Sequence, residues 1–196
     1  MFNGIHISVE GMDGVGKTTT CQMIQERLGF RYVEKPLRYL FKEDGDYDTY
    51  IRVRDYVNQQ PDRVFTSWFY GLGSTFLYSQ FNGEKIVTDR HFVSNYIWSG
   101  EKESEQVFDT LIDLLGSPKM TFIIYARKEV IKERLLNRDD KDPDLQKVLV
   151  SDDKYEKMKR FFEKHDMPHL FIDTSDLTAE EVYSTIEKEL KKNGVI

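Results

Sequence analysis

Apolar positions along this chain fall into short runs separated by longer segments of helical period. ISVE, residues 7–10, is the first run and leads into a glycine-rich segment. TTTCQMIQERL follows, with Met23, Ile24 and Leu28 on one helical stripe. GFRYVEKP gives a second short strand ended by Pro36, and the polar FKEDGDYDTY reads as an exposed loop. DRVFTSWFYGLGSTFLYSQF, residues 62–81, reads as an aromatic-rich helix interrupted by Gly71 and Gly73. Each of those glycines costs about 1 kcal/mol relative to alanine, which asks for a packing or ligand-access reason. Phe65, Trp68, Phe69 and Phe76 recur there at helical spacing and read as a core stripe.

EKIVTDRH is a third strand that ends in charge. SEQVFDTLIDLLG is a helix with Ser104 as its cap, Val107, Phe108, Leu111 and Leu115 on one side, and Gly116 at its stop. MTFIIYA has the near-continuous apolar pattern of a strand buried on both faces of a parallel sheet. KEVIKERLLNR is then a helix, DDKDPDLQ an exposed turn, SDDKYEKMKRFFEKH an amphipathic helix and HLFIDTS a final strand. TAEEVYSTIEKELKK closes the pattern with a capping box from Thr178 to Glu181. Strands alternating with helices predict an α/β fold of three αβα layers around a mainly parallel, five-stranded sheet. Ligands then sit outside the carboxyl ends of its strands. The pattern shows no repeat, low-complexity tract or linker, so residues 1–196 read as one domain.

Composition narrows the function classes. With 39% hydrophobic and 32% charged residues the chain is globular rather than disordered. A net charge of −6 argues against nucleic acid or an anionic membrane as the main partner, while leaving room for a local basic pocket that binds a small phosphorylated ligand. The single cysteine, Cys21, reads as a buried small hydrophobe. No apolar run approaches the roughly 20 residues of a membrane span, and the start of the chain lacks a signal core, so a cytoplasmic location is expected.

The chemistry begins at GMDGVGKTTT, which fits G-x-x-x-x-G-K-[ST] from Gly11 through Thr18 between a predicted strand and a predicted helix. Such a loop curls its backbone N–H groups into one concavity at a helix N-terminus and cradles phosphate oxygens. Gly11, Gly14, Val15, Gly16, Lys17, Thr18 and Thr19 form the expected ATP-phosphate site, making this a P-loop fold. Lys17 would reach the β- and γ-phosphates, and the Thr18 hydroxyl would ligate Mg²⁺. Asp89, at the end of KIVTD, is placed to hold the same ion opposite Thr18. Arg90 offers a planar fork for a second phosphate, that of an acceptor. Arg134 and Arg138 share one helix face just before DDKDPDLQ, as mobile cations of a helical lid over residues 134–150 would. Lys17, Arg90, Arg134 and Arg138 are the expected catalytic cations.

These motifs resemble the thymidylate kinase family, in element order along nearly the whole chain. ISVEGMDGVGKTTT is similar to that family's opening, DRHFVSNYIWSG to its D-R-Y segment, and RLLNR to the start of its lid. The resemblance implies that Asp13 contacts the acceptor's sugar hydroxyl, that Arg90 holds its phosphate, and that Ser94, Tyr96 and Trp98 lie near its pocket. It also implies dimers formed through helices. Departures accompany it. The family's R-E-P reads EKP at Glu34–Pro36, its usual arginine is absent from FTSWFYGLGSTF, and its Tyr-Gln-Gly reads Trp98-Ser99-Gly100. Phe69 is the expected stacking partner of the acceptor base, and His91 a structural residue. The leading expectation is Mg·ATP-dependent phosphorylation of dTMP to dTDP. The alternatives are a deoxynucleoside kinase using Glu34 as base toward a sugar hydroxyl, and a nucleotide-binding module without catalysis. A GTPase switch is disfavoured: N-K-x-D is absent, and outside the phosphate loop itself the D-x-x-G match, Asp113 to Gly116, lies on an apolar helix.

Overall fold

The computed structural model describes residues 2–139 and 141–196; Met1 and Asp140, the latter within the predicted turn DDKDPDLQ, lie outside the described residues. In chain order the elements are β1 (Ile5–Glu10), α1 (Lys17–Leu28), β2 (Arg31–Glu34), α2 (Tyr47–Asn58), α3 (Arg63–Gln80), β3 (Lys85–Asp89), α4 (Phe92–Ser99) and α5 (Glu105–Leu115). Then come β4 (Met120–Tyr125), α6 (Lys128–Arg138), α7 (Ser151–His165), β5 (His169–Asp173) and α8 (Ala179–Lys192). The five strands form one sheet in the order β2-β3-β1-β4-β5, and every pairing in it is parallel. The register sets Val9 and Glu34 each beside Asp89, so the carboxyl ends of β1, β2 and β3 finish level with one another.

Side chains alternate across the sheet and feed two cores. Ile7, Val9, Phe122 and Ile124 point to one face with Cys21 and Ile24 of α1 and Ile186 and Leu190 of α8. Ile86, Val33 and Ile123 point to the other, with Leu77 of α3, Phe92 of α4, Phe108 of α5 and Phe162 of α7. Removing such side chains from water is the dominant favourable term in folding. The predicted three-layer αβα arrangement is therefore present, and Cys21 is buried as expected. Among the described residues no helix is long and apolar enough to cross a membrane.

Four local expectations are corrected. The second half of the expected loop FKEDGDYDTY begins α2, whose start is capped by Asp46 accepting the Thr49 N–H at 2.8 Å. Tyr50 and Val57 are the buried residues of this helix, too sparse an apolar stripe to stand out in the sequence. α3 runs unbroken through both glycines. A Cβ on Gly71 would lie 2.6 Å from Leu111 Cδ1 and one on Gly73 3.0 Å from Leu37 Cγ, so close packing is what the glycines allow. The inward face of α3 is made of small residues, Thr66, Ser67, Gly71, Gly73 and Ser74, until Leu77 and Tyr78 at its end, whereas Phe65 and Trp68 are 46% and 47% exposed; the aromatic stripe is not the core face.

The third is α4, a helix over residues 92–99, a segment to which the hydrophobic pattern assigns no element. The fourth concerns polar caps and turns. The Ser104 hydroxyl makes no capping bond to α5 and instead accepts the Glu101 N–H at 3.0 Å. Pro143–Val150 forms a 3-10 helix where an exposed turn was expected, and Asp142 beside it is buried. The capping box of α8 is as predicted: Thr178 N–H donates to the Glu181 carboxylate at 2.8 Å and Glu181 N–H donates to Thr178 Oγ1 at 3.3 Å.

Candidate active site

Between β1 and α1 the chain turns through Gly11, Gly14 and Gly16 with φ of 143°, 82° and 102°. Gly11 passes so close to β4 that a Cβ there would stand 2.2 Å from the Ile124 carbonyl oxygen, and Gly16 is the left-handed N-cap of α1. Only glycine takes these geometries without strain. The Val15 side chain belongs to the core, leaving its backbone to the loop. Lys17 is buried, with Nζ donating to the Met12 carbonyl at 2.8 Å and 3.8 Å from an Asp13 oxygen. Burial, and then the neighbouring Arg90, lower its pKa to about 8, with Asp89, Asp13 and Glu10 opposing the shift. Thr18 Oγ1 donates to an Asp89 carboxylate oxygen at 2.8 Å.

The ends of β2 and β3 carry unusual backbone. Lys35 (φ 49°) and Arg90 (φ 77°) are two of the three non-glycine residues at positive φ among the described residues, and they follow directly on neighbouring strands. Residues held there cost of order 1–3 kcal/mol and persist only where their surroundings fix them. Arg90 is fixed in several ways. Its N–H donates to the Val9 carbonyl at 3.0 Å, Nη1 to the Gly11 carbonyl at 2.9 Å and Ser94 Oγ at 3.2 Å, and Nη2 to Asp13 at 2.6 Å. Burial alone would raise the Asp13 carboxyl, but Arg90, Lys17 and Lys147 hold it well below the usual carboxylate range. Lys35 Nζ donates to Glu34 and, at 2.9 Å, to Tyr47 Oη.

These groups open onto one cleft of about 1030 Å³ at the carboxyl ends of the strands. Of the sequence-predicted residues, the cleft gathers Gly14, Gly16, Lys17, Thr18 and Thr19 from the loop and Asp13 beside them. From the strand ends it takes Glu34, Pro36, Asp89 and Arg90, from α4 Ser94 and Trp98, and from α6 Arg134 and Arg138. Gly11, Val15, Phe69 and Tyr96 do not line it. The Phe69 ring sits 5.2 Å from that of Tyr70, which does line the cleft, and Tyr96 packs on Phe161 and Phe108 in the core. His91 reaches the cleft wall but is buried, its ring against those of His6 and Phe92. Burial, reinforced by His6, lowers its pKa well below the ordinary value, as a packed neutral ring requires.

Several lining residues escaped the sequence reading. α2 presents Tyr50, Arg54 and Asn58, spaced i, i+4 and i+8, and α3 adds Arg63 and Tyr70. The four-residue spacing was the available signal, hidden because the segment read as a loop. Lys147, next to α7, donates to Asp13 at 3.3 Å and to Asp144 at 2.6 Å, and lies 5.5 Å from the Trp98 ring. The two α6 arginines are held rather than free. Arg134 donates to the Thr174 carbonyl at 2.8 Å, and Arg138 Nε to Asp142 at 2.7 Å with Asp144 further off at 3.2 Å.

Comparison with known proteins follows the same lines. A family model described as thymidylate kinase matches residues 9–186. Among solved structures, a thymidylate kinase from Candida albicans superposes with a TM-score of 0.71 at 17% identity, covering 97% of this chain and 92% of that one. A thymidylate kinase from Ehrlichia chaffeensis gives 0.65 at 18%, covering 95% and 98%. A deoxyadenosine kinase from M. mycoides with bound dCTP gives 0.63 at 15%, covering 96% and 100%. At these identities the structural likeness establishes the fold alone. No curated protein sequence matches the chain significantly. With the family model spanning residues 9–186 and a phosphate loop folded at the head of a parallel sheet, the chain belongs to the thymidylate kinase family and is a phosphotransferase acting on nucleotides.

Proposed function

We propose that this protein transfers the γ-phosphoryl group of ATP to a nucleoside monophosphate, dTMP before others, giving ADP and dTDP. One observation carries the monophosphate: Lys35, Arg54 and Arg63 line the cleft together with Arg90. They supply the cations that the motif comparison found missing, and a dianionic acceptor needs cations around it.

In this reading the backbone of Gly11, Gly14, Val15, Gly16 and Thr19 cradles the ATP phosphates and Lys17 contacts the β- and γ-oxygens. Thr18 Oγ1 and the Asp89 carboxylate, 2.8 Å apart, are hard oxygen donors of the kind Mg²⁺ takes; they would hold the ion, which would supply charge neutralisation at the phosphate oxygens. Arg90 and Asp13 position the acceptor, with Ser94, Trp98 and Pro36 at its side and Tyr70 replacing Phe69 as the ring that faces it. An acceptor phosphate oxygen attacks the γ-phosphorus in line, the bond to the β–γ bridging oxygen breaks, and ADP leaves. Residues 134–150 act as a lid that brings Arg134 and Arg138 onto the transferred group once they exchange their present partners. One domain over residues 1–196, a cytoplasmic location and a homodimer complete the proposal. Phe65, Trp68 and Leu72 form an exposed apolar face on α3 suited to a second copy.

A deoxynucleoside acceptor is the second reading, favoured by Glu34. Its carboxylate lines the cleft level with Asp89, where a base toward a sugar hydroxyl belongs. ADP release from Mg·ATP, measured against dTMP, the other deoxynucleoside monophosphates and the four deoxynucleosides, separates the two. Turnover with dTMP, retained within about tenfold in Glu34→Gln, is the expected result. Turnover with nucleosides only, lost in Glu34→Gln, moves the assignment to the second reading. Tight ATP binding with silence across the panel leaves a nucleotide-binding module.

A further inference from the structure

Glu10 is the last residue of β1, and its side chain is fully buried. A carboxylate in that position is costly to desolvate and persists where its partners occupy it. Three donors do so. Oε1 accepts the His91 N–H at 2.7 Å and the Ser8 hydroxyl at 3.2 Å, and Oε2 accepts the Ser94 hydroxyl. Two of these three donors stand at the start of α4, whose N-cap residue, His91, makes no side-chain cap of its own.

Both α4 donors flank Arg90. His91 follows it in the chain, and Ser94 receives the Arg90 Nη1–H at 3.2 Å while giving its own proton to Glu10. Ser94 lines the cleft, and its hydroxyl is occupied as a relay between guanidinium and carboxylate. Arg90 is the residue whose φ of 77° must be held by its surroundings. Glu10 pins the backbone just after that strained position and, through Ser94, the end of the side chain, while Asp13 holds the fork from the other side at 2.6 Å.

The geometry points to Glu10 as a positioning residue: a buried anion that aims Arg90 at the acceptor side of the cleft without touching substrate itself. This rests on the proposed role of Arg90, so its test has one readout that needs turnover and one that does not. Glu10→Gln keeps the shape but turns one acceptor into a donor facing the donors around it. Ser94→Ala removes the relay while leaving the strand intact. In protein labelled with ¹⁵N-arginine and free of ligands, the Arg90 side-chain resonance is identified by its loss in Arg90→Lys. It shifts in both Glu10→Gln and Ser94→Ala. With the preferred acceptor, Glu10→Gln lowers kcat and raises acceptor KM, each at least fivefold, while ATP KM stays within twofold. Glu10→Gln combined with Arg90→Lys is no worse than Arg90→Lys alone. An unmoved resonance, or kinetic losses that multiply in the combined variant, overturns the inference. A shifted resonance in a protein silent toward every acceptor removes the functional reading and leaves the positioning role in place.

Discussion

Thr18 Oγ1 donates to an Asp89 carboxylate oxygen at 2.8 Å, joining the first turn of α1 to the end of β3. The two residues are 71 positions apart in sequence, and in the proposed function they would together offer hard oxygens to a Mg²⁺-bound triphosphate. Replacing Asp89 with Asn removes the charge and keeps the shape. Phosphoryl transfer is expected to fall by about 100-fold, the scale of losing one preorganised electrostatic group. The Mg²⁺ concentration for half-maximal rate rises at the same time, and a titration of rate against Mg²⁺ checks both.

Lys17 makes ATP affinity depend on pH. Burial, then Arg90, bring its pKa down to about 8, so the free protein loses this positive charge as pH rises through that value. ATP dissociation constants measured by calorimetry are expected to be flat below pH 7 and to weaken above pH 8, by up to about tenfold per unit as one proton is linked to binding. Lys17→Met weakens binding throughout and abolishes the slope.

Asp13 gives an acid signature of the opposite sense. Its carboxyl is raised by burial and lowered further by Arg90, Lys17 and Lys147, for a net depression on folding. A depressed carboxylate contributes stability above the unfolded pKa of about 3.9, and this is lost as pH falls toward the folded value. Asp13→Asn is expected to cost about 2 kcal/mol at pH 7 and distinctly less at pH 2, where the unfolded carboxyl is protonated and the folded one is only beginning to be, the scale of one such shift. Urea unfolding at the two pH values reads the difference.

Gly71 separates helix propensity from packing. Alanine gains about 1 kcal/mol as a helix former, yet its Cβ would meet Leu111 Cδ1 at 2.6 Å in a fully packed core. Overpacking typically costs 1–3 kcal/mol. Gly71→Ala is expected to destabilise by about 1 kcal/mol net, and Gly71→Ala with Leu111→Ala by less than the sum of the two, as thermal unfolding of the three variants will show.

Much of this molecule was legible in its sequence because the signals were local. Apolar runs marked the strands, Thr178 and Glu181 marked a helix start, and the glycine, lysine and threonine spacing marked the phosphate loop. What escaped was set by neighbours. α2 buries too few apolar residues to show a stripe, and its Arg54 matters only because the helix leans over the cleft. Aromatic residues on α3 looked like core by period, but the close approach of Leu111 and Leu37 requires its small face to point inward. Ser94 could be picked out by its place in a motif, while its hydroxyl partner, Glu10, lies 84 residues away.

The strand order also governs how the site comes into being. β1 and β2 are made first, yet they are not neighbours: β3 lies between them. Neither can pair until residues 85–89 have left the ribosome, so a growing chain carries a complete phosphate loop long before any sheet exists to hold it. Arg90 arrives with β3, and α6 with Arg134 and Arg138 later still. Pairing that waits on distant segments is slow by nature. The loop is therefore framed by its sheet only late in synthesis, when the middle of the chain can take its place between the two earliest strands.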